Sequence, residues 1–219
     1  MPFRGLQIPH PSPTAQARRF EVFEQIADRR RIKAGQEIFG QEAAATRYFR
    51  IMKGVVRTTR LLPHGRRQVS GFYFAGDMFG LEIGSTHRHA AEALTDCEIS
   101  SVKRGLPASV PEGARIERLI WEVTSEQLEQ ARERMLILAA GNAYEKVSWL
   151  LAEIADRAEG PWADLPMCRQ DIADYLGLTI ETVSRMLTQL RHDGLVRLDG
   201  ARRFFIARAA HQTAGELAA

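Results

Sequence analysis

The 219-residue chain is poor in cysteine, with only Cys97 and Cys168. Two cysteines cannot build a disulfide framework of the secreted kind. With no Cys-x-x-Cys pair or Cys/His cluster, no zinc or iron–sulfur ligand set exists and no metal is expected. Long apolar runs are missing too: nothing approaches the roughly 18 apolar residues of a membrane span, and residues 1–19 lack a signal-peptide core. A soluble, reduced, cytoplasmic protein is the expectation. Nor is there a decisive surplus of charge, since Lys plus Arg is 30 against 27 for Asp plus Glu. Such a balance does not by itself identify a nucleic-acid binder. The surplus lies in residues 1–141, with 21 basic and 16 acidic side chains, whereas residues 142–219 hold nine and eleven. A hydrophobic content of 45% excludes wholesale disorder, and the length fits one large domain or two small ones.

What is present changes texture along the chain. Residues 1–18 carry Pro2, Pro9, Pro11 and Pro13 and read as an irregular arm. Phe20–Ala27 has a short helical pattern that ends near Arg29, Arg30 and Arg31. Short β-type runs follow, over 35–39, 48–52, 54–60, 68–74 and 98–102, with turns at Pro63-His64-Gly65 and Ala75-Gly76-Asp77. This texture predicts an antiparallel sandwich or barrel. From Ala114 to Ala140 neither Pro nor Gly intervenes, which predicts one helix roughly 40 Å long. It bears two apolar stripes, Ile116, Leu119, Ile120 and Val123, then Leu128, Ala131, Met135 and Leu138. One stripe is expected to pack on the β domain and the other on a second copy. The heptad series Ile116, Ile120, Val123, Gln127, Gln130, Arg134 and Ile137 is the expected dimer interface. The chain therefore divides into a β domain with its arm (1–113), a dimerisation helix (114–141) and a C-terminal domain (142–219).

The C-terminal domain carries a helix–turn–helix pattern that starts at Arg169. Ala173 is the small residue needed where two helices cross. Gly177 suits a tight turn with positive φ. Ile172, Leu176, Leu178, Val183 and Met186 occupy the shared core positions. Thr179 is a good N-cap and places Ile180, Glu181, Ser184 and Arg185 in the first turns of a recognition helix. An Arg there takes guanine O6 and N7, a Glu accepts from cytosine N4, and an Ile touches a thymine methyl. Glu181 and Arg185, one helical turn apart, are expected to orient each other. Gly194–Gly200 and Arg202–Ile206 read as a hairpin turned at Asp199-Gly200, the wing of a winged helix. Arg169, Thr179, Thr182, Arg202 and Arg203 are the expected phosphate contacts. From Thr179 to Arg208 there are six Arg and three acidic residues, so positive charge is concentrated at the expected DNA face.

The stretch Gln170-Asp-Ile-Ala-Asp-Tyr-Leu-Gly-Leu-Thr-Ile-Glu-Thr-Val-Ser-Arg185 resembles the helix–turn–helix of the CRP/FNR superfamily of bacterial regulators. Its Glu-x-x-Ser-Arg segment is of the FNR type, and within that group it most resembles the FixK subfamily. Gly35-Gln-Glu-Ile-Phe39, Tyr48, Gly54-Val-Val56 and Gly76-Asp77 recur at the family's spacing. The resemblance implies an α+β chain with an N-terminal antiparallel β-roll of cyclic-nucleotide-binding type, a long dimerisation helix and a C-terminal winged helix–turn–helix. It further implies a homodimeric activator that binds double-stranded DNA at a palindrome with TTG-type half-sites. RNA polymerase is then an expected partner, and the targets would be genes of low-oxygen metabolism, denitrification or nitrogen fixation.

The chain also departs from the family. Where cAMP-binding members carry a ribose-holding carboxylate and a phosphate-binding serine, this chain has Leu81 and His89, with Arg88 retained. No cyclic nucleotide and no cofactor is therefore expected; the alternative is a β-roll that senses another small molecule. Residues 1–40 hold no cysteine for an iron–sulfur sensor, and the six histidines read as solvated or locally paired. Cys168-Arg-Gln-Asp171 has a capping-box shape with Cys where Ser would cap better. A thiol at a helix N-terminus beside Arg169 is expected to be reactive. Its sulfinic or sulfonic acid would set negative charge against DNA phosphate, so Cys168 is a candidate redox brake. Cys97 reads as a buried small hydrophobe. The terminal Leu-Ala-Ala219 resembles tags read by bacterial Clp proteases, which adds such a protease as a candidate partner.

Overall fold

The computed structural model describes residues 18–107, 110–200 and 202–207. The chain separates into two units, one ending at Ala131 and the other beginning at Arg132. The division falls inside the long helix rather than at either of its ends.

The first unit starts with α1 (Glu21–Ile26) and continues through β1 (Asp28–Ile32), β2 (Glu37–Phe39), β3 (Arg47–Lys53), β4 (Val56–Leu61), β5 (Arg67–Tyr73), β6 (Met78–Phe79), β7 (Ala90–Ala93) and β8 (Cys97–Lys103). They form two four-stranded sheets of order β1-β8-β3-β6 and β2-β7-β4-β5, and all pairings are antiparallel. Ile51, Val56, Phe79, Ala91, Ala93, Cys97 and Ile99 fill the space between them. Gly54 permits the turn into β4: at φ +96° an added Cβ would lie 2.6 Å from Cys97 Sγ and 2.7 Å from the Asp96 carbonyl. Cys97 is buried as expected.

The basic run Arg29-Arg30-Arg31 is not the tail of a helix. It is an edge strand paired with β8, from Asp28 opposite Ser101 to Ile32 opposite Cys97. Polar side chains are tolerated on both faces of an edge, so the apolar/polar alternation that identifies a strand is absent. Helix α1 is held by a buried charge cluster. Glu24 Oε1 accepts from Arg50 Nη1 at 3.0 Å and from Ser100 Oγ at 2.8 Å, and the Arg50 guanidinium lies 4.2 Å from the Phe20 ring centre.

Helix α2 (Pro111–Ala140) is a single 30-residue element. Proline at its first position is pre-set in φ and gives up an N–H that has no intrahelical partner there. Ile116, Leu119 and Val123 are buried in a core shared with Phe20, Val22, Phe23, Met78 and Val102, and Ile120 packs against it. Gln127 Nε2 donates to the Met78 carbonyl at 2.7 Å. The assignment of Ile116 and Val123 to a partner chain is thus corrected, since both are buried in the protomer's own core, while Ile120 and Gln127 are half-buried against it. Ile137 is fully buried as well. Gln130 is half-buried, and the half-buried Arg134 places its guanidinium 5.6 Å from the Tyr175 ring centre. Trp121 (75%), Leu128 (52%) and Met135 (62%) are exposed seven residues apart on one face, with Leu136 (55%) exposed beside Met135.

In the second unit, α3 (Ala143–Ala155) is followed by β9 (Trp162–Asp164), α4 (Arg169–Leu176), α5 (Ile180–His192), β10 (Val196–Asp199) and β11 (Arg203–Ile206). Asn142 starts α3 with a reciprocal capping box, its Oδ1 accepting from Glu145 N at 3.0 Å and its N–H donating to Glu145 Oε2 at 2.9 Å. The three strands form one sheet of order β10-β11-β9. The strand at 162–164 is too short to show a period and was not foreseen. No helix among the described residues is long and apolar enough to cross a membrane. The terminal Leu-Ala-Ala lies outside the described residues, as do His10 and His211.

Candidate nucleic-acid interface

The site is built on α4 and α5. Ile172, Ala173 and Leu176 of α4 and Val183, Leu187 and Leu190 of α5 are all buried. Two of the expected core residues, Leu178 and Met186, are only half-buried; Leu187 and Leu190 take up that role. Gly177 ends α4 at φ +66°, and the Ala173 carbonyl accepts from both Gly177 N and Leu178 N. This left-handed residue closes the helix end and lets the chain reverse into α5.

Thr179 caps α5, its Oγ1 accepting from Thr182 N at 3.2 Å and lying 3.1 Å from Thr182 Oγ1. Both threonines, expected to contact phosphate, are thus also occupied in building the helix start. At about 100° per residue, Ile180, Ser184, Glu181 and Arg185 span an arc of about 140° on the side opposite half-buried Thr182 and Met186. All four are exposed, Ile180 least at 38%. Thr188 and Arg191 fall within the same arc and are exposed. A helical wheel of the sequence would have found them.

Glu181 is held below the ordinary carboxylate range, chiefly by its own backbone N–H and by the Thr179 hydroxyl, with a small opposing effect of burial. It is drawn back to the positive end of α5. No ion pair joins Glu181 to Arg185 among the described residues, so the expected mutual orientation is absent and Arg185 has no acidic partner there. Arg169 is half-buried, and that burial lowers its pKa. Cys168, the N-cap of α4, is exposed, and its backbone N–H donates to Asp171 Oδ2 at 3.4 Å.

The β10–β11 hairpin pairs Asp199 with Arg203 across its turn, with Gly200 at φ +65°. Arg203 is tied down: its Nε lies 3.7 Å from Asp164 Oδ1, its Nη1 3.8 Å from Asp199 Oδ2, and its guanidinium 5.7 Å from the Trp162 ring centre. Arg202 is exposed and has no acidic partner among the described residues. The two wing arginines are therefore unequal.

The second place to look for a site is the 80–90 segment of the β-roll. Leu81 packs into the core that closes against α2. His87 is 2% exposed, with Nδ1 3.0 Å from Glu82 Oε2, and its ring stacks on Phe39 at 3.6 Å. Rings from both sheets continue the stack, Phe39 to Phe49 at 5.2 Å, Phe49 to Phe79 at 5.2 Å and Tyr73 to Phe79 at 5.8 Å. The segment is sewn to 42–45 by backbone bonds from Glu42 N to His87 O, His87 N to Ala43 O and Ala45 N to Ser85 O. Arg104 clamps it from outside, donating to the carbonyls of Ala45, Gly84 and Glu82. His89 is held below its ordinary pKa, chiefly by burial, with Arg60 and Arg88 adding and Glu82 opposing.

Comparison with known proteins agrees with this geometry. Residues 165–196 match the family model for bacterial regulatory proteins of the crp family, and residues 29–106 match the cyclic nucleotide-binding domain. The nitrogen fixation regulation protein FixK of Azorhizobium caulinodans is 39% identical over 177 residues, covering 78% of this chain and 71% of that one. FixK of Rhizobium meliloti is 40% identical over 171 residues, covering 78% of each. The solved structure of FixK2 from Bradyrhizobium japonicum superposes with a TM-score of 0.77 at 39% identity, covering 85% of this chain and 95% of that one.

Proposed function

Because the chain belongs to the CRP/FNR family of bacterial regulatory proteins, with relatives of the FixK type, we propose that it activates transcription as a homodimer bound to a palindrome with TTG-type half-sites. A member of this family is a DNA-binding regulator and not an enzyme. The observation that carries the reading is the exposed Ile180, Glu181, Ser184 and Arg185 face of a capped helix whose opposite stripe is buried. Base edges are read by such side chains, while Arg169, Arg202, Thr179 and Thr182 serve the phosphates and fix register. The names of the relatives support targets in nitrogen fixation, and the FNR-type recognition segment extends the proposal to low-oxygen metabolism. RNA polymerase is the partner of an activator so placed. A regulator of transcription acts in the cytoplasm, where its DNA is.

Two-fold symmetry in the operator requires a two-fold partner. The exposed stripe Trp121, Leu128 and Met135 supports α2 as the seam. DNA binding needs no cyclic nucleotide on this reading. Support comes from the ring stack between the sheets and from Leu81, which occupies the core where a ribose-holding carboxylate is required. Cys168 is exposed at the start of the first helix of the motif, which supports oxidation there as a brake on DNA binding.

The deciding experiment is selection of bound sequences from a random duplex pool by reduced, ligand-free protein. Recovery of a TTG-containing palindrome is expected. Recovery of unrelated sequences, or of none until an effector is added, would overturn the proposal.

A further inference from the structure

We infer that Tyr144 and Asp193 form a positioning pair that sets the orientation of the recognition helix, and through it base discrimination, without touching DNA. Tyr144 Oη donates to Asp193 Oδ2 at 3.0 Å. The two residues are 49 apart in sequence and sit at fixed points of two different helices. Tyr144 is in the first turn of α3, just behind the Asn142–Glu145 capping box. Asp193 is the C-cap of α5, where its own N–H donates to Gln189 O at 2.8 Å.

A carboxylate at this end of a helix faces the unsatisfied carbonyls and the negative pole of the macrodipole, an unfavourable place for it. Tyr144 Oη compensates by donating to one oxygen, and His192 Nδ1 lies 3.4 Å from the other. Burial, then the bond and charge of Asp193, push Tyr144 up to about 12. The phenol therefore remains a donor throughout the neutral range.

Among the described residues, the rest of the α5 attachment is apolar. Val183, Leu187 and Leu190 form one buried stripe. Packing of this kind is non-directional and leaves the last few degrees of roll weakly determined. A hydrogen bond is directional, weakening steeply as its angle falls. The pair joins the stripe at its end and sits about 12 Å along the axis from Arg185, at about 1.5 Å per residue. A small roll released there moves Glu181 and Arg185 against the base edges, where bidentate contacts tolerate little displacement. Phosphate contacts tolerate it better. The inference rests on α5 being the base-reading helix.

The test uses the full chain and a palindrome recovered by selection, with a scrambled duplex for comparison. The readout is the ratio of the two affinities. Tyr144→Phe is expected to lower this ratio about 3- to 10-fold, the range for one net hydrogen bond, to leave the scrambled-duplex affinity nearly unchanged and to lower the melting temperature by no more than about 2–4 °C. Asp193→Ala should do the same. Asp193→Asn, which keeps an acceptor for the phenol, should retain most of the ratio, and the double variant Tyr144→Phe/Asp193→Ala should be no worse than either single change. An unchanged ratio in Tyr144→Phe overturns the inference. So does a parallel fall on both duplexes, which marks a purely structural bond. Arg185→Ala is the control: if it also leaves the ratio intact, the recognition-helix reading falls first and the pair's role falls with it.

Discussion

Arg185 and Glu181 stand on the same exposed face of α5 but in different circumstances. Glu181 is drawn to the helix start and kept ionised there, whereas Arg185 extends without an acidic partner among the described residues. Such an arginine has its donors uncommitted and available for the proposed guanine contact. Arg185→Ala is expected to cost about 1–3 kcal/mol at one operator position and little at the others. Binding to a panel of single-base operator variants reads this directly, and a uniform loss would make Arg185 a phosphate contact instead. Cys168 poses a different question, because its thiol is exposed next to Arg169, a proposed phosphate contact. After peroxide treatment the wild type should lose operator binding while Cys168→Ser keeps it. Equal loss in both proteins would acquit the thiol.

At the scale of the element, α2 presents a buried apolar face and an exposed one, the latter the proposed seam. Leu119 is 4% exposed and belongs to the core, while Leu128 is 52% exposed on the outer stripe. Leu119→Ala should cost about 2–5 kcal/mol of folding stability by opening a cavity. Leu128→Ala should leave folding nearly intact and shift the monomer–dimer equilibrium toward monomer. Denaturant titration and sedimentation distinguish the two. The α3–α5 link adds a pH signature. Tyr144 is raised from 10.0 to about 12 by folding, so the folded state holds a proton that the unfolded chain releases. Its stabilising share is complete below pH 10 and is lost as pH climbs toward 12. Tyr144→Phe should flatten the stability profile over that window relative to wild type.

The elements differ in how far the sequence revealed them. The helix–turn–helix was legible because each position has its own demand: a small Ala173 at the crossing, Gly177 at φ +66°, Thr179 at the cap. Helix α2 is legible as a helix, but which of its apolar stripes the protomer covers is not. Two apolar stripes run side by side, and the series drawn from Ile116 follows the one that closes the β-roll. Periodicity shows that a face is apolar without saying what covers it. Strand β1 was hidden by arginines on both faces. The tie between Glu181 and Thr179, and that between Arg203 and two aspartates, depend on rotamers that spacing does not determine.

At the scale of the whole molecule, the β-roll keeps the outline of a nucleotide-binding domain while its interior is filled by its own rings. The expectation is that cAMP produces no binding heat in calorimetry and no change in operator affinity. Tight binding with enhanced operator affinity would restore the sensor reading. The stacked His87 and the Arg104 clamp have a consequence in time rather than in space. A regulator that waits for a ligand can be switched within the ligand's residence time. On the proposed ligand-free reading the β-roll supplies no such fast dial, so that, oxidation at Cys168 aside, output tracks copy number. While that thiol stays reduced, the response is paced by synthesis and removal of the chain. Because two chains must meet at each operator, sparse protein would give an output that climbs as the square of its abundance, a threshold supplied by mass action alone.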